Sequence, residues 1–243
     1  MKRLRVLMTR HEIVPERLRE ATSVVLDVLL ATTTLVTAFD NGARRVYPAE
    51  SLEESDAVLG SLEAEDVLRG GEQGGEWIRG YELGFYPGEY SSETVAGKDV
   101  IFVTTNGTRA LADAAPSKQV LVGCLRNAPA IAHYLETLET DSLYLICAGS
   151  HGRFTLEDFL GASAILSYMH TEDWDLNDAA SMALDLARVY QDREMEALTQ
   201  SRTGRWFLEN DRLEELEFVG DLGASDLVLQ VVDGQLRRAP GTG

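Results

Sequence analysis

The chain has 243 residues, 44% hydrophobic and 26% charged, enough to bury a substantial core as one large α/β domain or two small ones. Forty acidic residues stand against 22 basic ones, a net charge of −18, and the only lysines are Lys2, Lys98 and Lys118. Such a surface disfavours nucleic acid and anionic membranes as partners, and self-repulsion on this scale points to a salt-rich cytoplasm, where the Debye length falls to about 3 Å at 1 M.

The amino-terminal MKRLRVLMTRHE is basic but has only a short apolar core, so no signal peptide is expected. No apolar run reaches the ~18 residues a membrane span needs, and the expected location is the cytoplasm. Leu4–Met8 predicts a first short strand. The next stretch, SVVLDVLLATTTLVTA (residues 23–38), organises the rest. Val24, Val25, Leu26, Val28 and Leu29 predict a fully buried strand of a parallel sheet. A helix follows, with Thr32, Thr33 and Thr34 in its first turn. It stops at Asn41-Gly42. Asp27 lies where the strand gives way to the helix, the place where open α/β sheets bind ligands. A buried carboxylate there needs a cation, a metal or several hydrogen-bond donors. The competing reading is an acid that caps the next helix.

Arg45–Tyr47 predicts another short strand. A helix to about Glu63 follows, with Ser51 as N-cap and Glu54 at capping-box spacing. Val67-Leu68 then leads into residues 69–97, a long glycine-rich segment predicted to be irregular and functional. It carries Glu72 within GGEQGG, where glycines let the backbone approach a ligand. From Asp99 the pattern alternates regularly. Strands are predicted at 99–103, 120–124 and 143–147, and helices at 108–114, 128–138 and 156–169. This alternation predicts βαβ units and a three-layer α/β fold whose sheet is largely parallel or mixed. Asp178–Tyr190 predicts one more amphipathic helix. An acidic, polar stretch (202–217), a strand at 226–232 and a frayed tail from Arg237 complete the expectation. No repeat or linker divides the chain, so it reads as one continuous unit, or two α/β lobes with a site between them.

Candidate chemistry clusters at strand-to-helix junctions. Asp27 and Glu72 are joined by Glu157 and Asp158 in CAGSHGRFTLED (147–158), where Thr155 with Asp158 also fits a capping pair. In TTNGTRAL (104–111) a buried strand runs into a helix N-terminus, a setting for a phosphate or carboxylate, and Arg109 would add a bidentate clamp. Thr caps and an Asn-Gly turn are the alternative. Arg126-Asn127 repeat the arrangement after the next strand. Several such junctions at one sheet edge, some acidic and some anion-binding, describe a site for a divalent cation plus an oxyanion. Cys124 and Cys147 lie in apolar runs and read as buried thiols. His11, His133, His151 and His170 lack metal-ligand spacing; His151 alone lies in a turn that would reach the site.

Six pieces in order, LDVLLATTTLVTAFDNGA, GGEQGG, GYELGFYPGEY, VTTNGTRAL, GCLRNAPAIA and CAGSHGRFTLEDFLGA, resemble the 2-phosphosulfolactate phosphatase family, the ComB-like proteins of the coenzyme M route. They span roughly residues 4–165. The resemblance implies an α/β fold and Mg²⁺-dependent hydrolysis of a phosphate monoester on a small acid. On this reading Asp27, Glu72 and Asp158 are expected to be catalytic, with Asp27, Glu72, Glu157 and Asp158 as metal ligands. Thr32, Thr33, Thr105, Asn106, Gly107, Thr108, Arg109 and Asn127 are expected around the phosphate. Where the family pattern has two arginines this chain has Leu30 and Gln73, and Phe85 and Tyr86 replace small polar groups. Two rivals follow from those departures: a scaffold that binds a small anion without turnover, and a phosphatase for a less anionic ester. A homodimer is carried as a prior.

Overall fold

The computed structural model describes residues 2–63 and 66–242. Its eleven strands are β1 Lys2–Leu7, β2 Thr22–Leu26, β3 Arg45–Ala49, β4 Val67–Gln73, β5 Glu76–Trp77, β6 Asp99–Val103, β7 Gln119–Gly123, β8 Ser142–Cys147, β9 Trp174–Leu176, β10 Leu229–Val232 and β11 Gln235–Arg238. They form one mixed sheet in the order β5-β4-β6-β3-β11-β10-β7-β2-β8-β1-β9. The helices are α1 Pro15–Leu18, α2 Ala31–Asp40, α3 Leu52–Ser61, α4 Ser92–Val95, α5 Gly107–Asp113, α6 Ala128–Thr137, α7 Leu156–Ser167, α8 Asp178–Tyr190, α9 Glu194–Gln200, α10 Arg202–Glu209 and α11 Leu213–Gly220. The expected α/β class with alternating strands and helices is what the chain adopts.

The sheet consists of two parallel leaves. One is β4-β6-β3; the other is β7-β2-β8-β1-β9. The antiparallel hairpin β10–β11 joins them, pairing antiparallel with β7 on one side and β3 on the other. Following these pairings across the hairpin shows that the two leaves run in opposite directions. Side-chain alternation sorts the core onto the two faces. Val24 and Leu26 of β2 pack with helices α6 to α11, whereas Val25 packs with α2 and α5. In β8, Leu143, Leu145 and Cys147 take the first face and Tyr144 and Ile146 the second. Every residue of β2, β6 and β8 is buried, as expected of strands covered by helices on both faces. A third core, around Tyr47, Ile101 and Tyr81, seats α3 against β3 and β6.

Three expectations need correction. Residues 69–97 are not irregular throughout: β4 continues the parallel leaf beside β6, and β5 turns back on it. Gly74 and Gly75, at φ +67° and +85°, form the two-residue turn of that hairpin, whose primed geometry demands positive φ at both places. Strand β4 escaped notice because its carboxyl half is GGEQ, with almost no apolar signal. The polar stretch 202–217 holds α10 and most of α11. The tail at Arg237 is strand β11, not frayed, and its partner strand begins at Leu229 rather than Asp226. Cys124 and Cys147 are free and buried. Among the described residues no helix is long and apolar enough to cross a membrane.

Candidate functional site

The carboxyl ends of strands from both leaves open on one cavity of about 330 Å³. Asp27 enters it directly after β2. Gly149, Ser150 and His151 enter after β8, Glu72 from the end of β4, and Thr104, Thr105 and Asn106 after β6. Glu157 and Asp158, in the first turn of α7, complete the acidic side. All four acids marked in the sequence are thus gathered on one cavity.

Their environments differ. Asp158 is buried, and both its oxygens are occupied. Oδ1 accepts the N–H of Val28 at 2.9 Å; Oδ2 accepts the N–H of Gly149 at 3.0 Å and the hydroxyl of Thr155 at 2.7 Å. It therefore ties the segment after β2 to the segment after β8. Thr155 stands at the N-cap of α7 but its side chain makes no cap hydrogen bond; its hydroxyl donates to this carboxylate instead. Burial first, and then the Glu157 carboxylate, push the Asp158 pKa up to about 7 against those three donors. Glu72 does for the other leaf what Asp158 does for this one. Its Oε1 accepts the N–H of Thr105 at 2.5 Å, and its Oε2 accepts the Thr105 hydroxyl at 2.8 Å and the N–H of Gly75 at 2.6 Å.

Asp27 and Glu157 are also buried, at 8% and 3% exposure, yet far less satisfied. Asp27 takes the N–H of Ala31; burial first, then the carboxylates of Asp158, Glu72 and Glu157, push its pKa well above the ordinary carboxylate range. No protein donor reaches the Glu157 carboxylate among the described residues. None of the ion pairs among those residues involves any of the four acids, and no lysine or arginine among them lines the cavity. Gly107 matters by what it lacks: a Cβ there would meet Ala31 Cβ at 2.5 Å and Asp27 Oδ2 at 2.7 Å.

Several residues assigned to the phosphate lie elsewhere. Thr32, Thr33 and Asn127 are wholly buried. Thr32 Oγ1 accepts the N–H of Asp27, and the Thr33 hydroxyl donates to Val28 O. Asn127 Oδ1 accepts the N–H of Cys124, and its amide donates to Val122 O and Leu227 O, pinning the loop after β7 to the approach to β10. Thr108 exchanges hydrogen bonds with Thr104. The Arg109 guanidinium donates to Glu50 O and borders an adjoining recess of about 120 Å³ that shares Glu72, Thr104 and Thr105 with the cavity. These residues shape the loops whose backbones reach the site; of the phosphate candidates, Thr105 and Asn106 line the cavity itself.

Part of the lining is apolar. Leu29, Leu30, Phe85, Trp206 and Phe207 form it, with Thr203 at its edge. The rings of Phe85 and Tyr86 stack at 4.5 Å, Tyr86 meets Phe207 edge-on at 6.2 Å, and Trp206 meets Phe207 at 5.5 Å. Helix α10, the source of Thr203, Trp206 and Phe207, was missed in the sequence. Its one signal was that these three positions share a helical face within a polar run.

The sequence model of the family described as 2-phosphosulpholactate phosphatase matches residues 7–234. A protein of Caldanaerobacter subterraneus subsp. tengcongensis is 32% identical over 235 residues, 96% of this chain and 97% of its own. One from Symbiobacterium thermophilum is 38% identical over 223 residues, 91% and 95% of the two chains. One from Synechocystis is 35% identical over 232 residues, 94% and 96%. All three are named probable 2-phosphosulfolactate phosphatases.

Proposed function

The chain belongs to the 2-phosphosulpholactate phosphatase family, and on that premise we propose that it hydrolyses the phosphate monoester of a small acid, 2-phosphosulfolactate or a related compound, to the hydroxy acid and inorganic phosphate. The observation that carries this reading is a cavity holding four carboxylates, of which Asp27 and Glu157 are buried with no protein cation beside them. Their unpartnered oxygens open on the cavity, since the sealed side-chain atoms left without a partner among the described residues are Arg126 Nε and Ser142 Oγ; a cation in the cavity would compensate such clustered charge.

A Mg²⁺ ion fits that need. Among the described residues no three His, Cys, Asp or Glu side chains form a ready-made metal nest. That suits a cation which usually keeps several waters and takes one or two carboxylates plus substrate oxygens. Asp27 and Glu157 are the acids with oxygens to spare for it, and Asp158 and Glu72 position the loops around them. When bound, the ion would supply charge neutralisation for the phosphoryl group and orientation for the nucleophile. The chain's own residues do the rest. The loop of Thr104, Thr105 and Asn106 offers hydroxyl and amide groups to phosphoryl oxygens, and Glu72 holds that loop by both carboxylate oxygens. Phosphoryl transfer asks mainly for such positioning and charge stabilisation.

The test is Asp27→Asn, assayed for phosphate release beside the unaltered protein. The substitution keeps the shape and removes the charge. The reading expects a loss larger than the ~10–100-fold typical of changing a group that only supports a metal ligand, with an unchanged far-ultraviolet circular dichroism spectrum. Full turnover by folded Asp27→Asn protein would remove Asp27 from the mechanism.

A further inference from the structure

The cavity has two unlike halves, and the second half bears on the substrate. A phosphate ester that also carries a sulfonate and a carboxylate brings several negative charges. Here it would enter a space already lined by four acids, with no lysine or arginine among the described lining residues. One divalent ion does not offset both sets of charge. Arg153, in the turn that carries Ser150 and His151, and Arg202, beside Thr203, lie outside the lining. Arg109 serves Glu50 O beside an adjoining recess. Arg212 lies over the Tyr86 ring at 4.1 Å and pairs with Glu215 at 2.8 Å, outside the cavity lining.

The lining also includes an apolar surface of Leu29, Leu30, Phe85, Trp206 and Phe207. Phe85 and Phe207 are held in position by their packing on Tyr86. Such a surface gains by covering apolar area and loses by desolvating a sulfonate. Trp206, 45% exposed, meets Phe207 edge-on and offers a large apolar ring to the cavity.

Building on the phosphatase reading, we infer that the ester taken by this cavity carries an aliphatic or aromatic group, in place of a second strong acid, against the wall of Leu30, Phe85, Trp206 and Phe207. The phosphate sits at the acidic end, and the organic group sits on the rings. The bonds broken and formed are those of ordinary ester hydrolysis, with water as the co-reactant.

The experiment compares kcat/KM for phospholactate, 2-phosphosulfolactate and 2-phospho-3-phenyllactate in saturating Mg²⁺. In parallel, equilibrium binding of benzylphosphonate and of 2-sulfoethylphosphonate, neither of which can be hydrolysed, is measured on the same protein. The inference expects the phenyl ester to be favoured over the sulfonate by about 10–100-fold, the range a filled apolar pocket gives. It expects benzylphosphonate to bind tighter than the sulfonate analogue. It also expects Trp206→Ala to raise KM for the phenyl ester more than for phospholactate. Preference for 2-phosphosulfolactate in turnover or binding would overturn the inference and leave the phosphatase reading standing. Absence of phosphate release from all three esters would sink the phosphatase reading, while the phosphonate affinities would still decide the chemistry of the wall.

Discussion

At the scale of single residues, the site distinguishes acids that build from acids that are left to bind. Asp158 and Glu72 each accept three protein hydrogen bonds, whereas Asp27 and Glu157 remain short of donors in a buried place. Thr105→Val removes one of the donors to Glu72 and keeps the volume. It should weaken turnover about 10–100-fold through the metal-side geometry and leave the melting temperature within a few degrees; unchanged kinetics would show that Glu72 is not held for function. Asn127→Ala is the contrasting case. It deletes a buried amide that joins three backbone groups, and should cost about 1–3 kcal/mol in urea unfolding. KM should stay the same; a selective rise in KM would return Asn127 to the substrate.

Among elements, the strand ends carry the site. The register that places Leu26 opposite Cys147 brings Val28 and Gly149 side by side, so that Asp158 can bridge them. Gly71 shows how tightly the other leaf is set. It has φ +123°, and a Cβ there would lie 1.8 Å from Val103 O. Gly71→Ala should therefore break the pairing of β4 with β6 near Glu72 and lower stability and turnover together. Retention of both would mean that β4 does not fix Glu72. The sequence was most legible where strands were continuous apolar runs, as in β2, β6 and β8, and where Gly and Asn stopped helices. It also showed the four acids, because each lies at a strand end or a helix start. It was silent where structure rests on backbone conformation rather than apolar pattern, as in GGEQGG. The threonines and Asn127 were read as ligand groups because their position beside strand ends is correct. Which way such a side chain turns depends on backbone partners such as Val28 O and Leu227 O that lie in other segments.

Across the whole molecule, charge is the governing quantity. Three carboxyls, Asp27 and Asp158 in the site and Asp40 outside it, have pKa values raised in the folded state, in each case first by burial. The folded metal-free protein therefore holds protons that the unfolded chain releases from about pH 4 upward. Their contribution to stability is present at acid pH and is lost as pH rises toward about 7, the Asp158 value. In EDTA the melting temperature should fall between about pH 5 and about pH 8. Mg²⁺ should restore it most strongly at the upper end, because an ion that binds only the folded state stabilises it by mass action. A melting temperature that rises over this range in EDTA, or that Mg²⁺ leaves unmoved, would contradict the reading of these acids. The net charge of −18 makes salt a condition of every such measurement. Self-repulsion at low ionic strength would obscure the local effect, and about 1 M KCl screens it to within about 3 Å.

The most direct test of the phosphatase reading is inorganic phosphate release from 2-phosphosulfolactate and its apolar analogues in about 1 M KCl, first with Mg²⁺ and then with EDTA added to the same sample. The account predicts steady release that stops on chelation and resumes when Mg²⁺ is returned in excess. Release that continues unchanged in EDTA would remove the metal from the mechanism. No release from any ester by folded protein would leave a scaffold that binds its anion without turning it over.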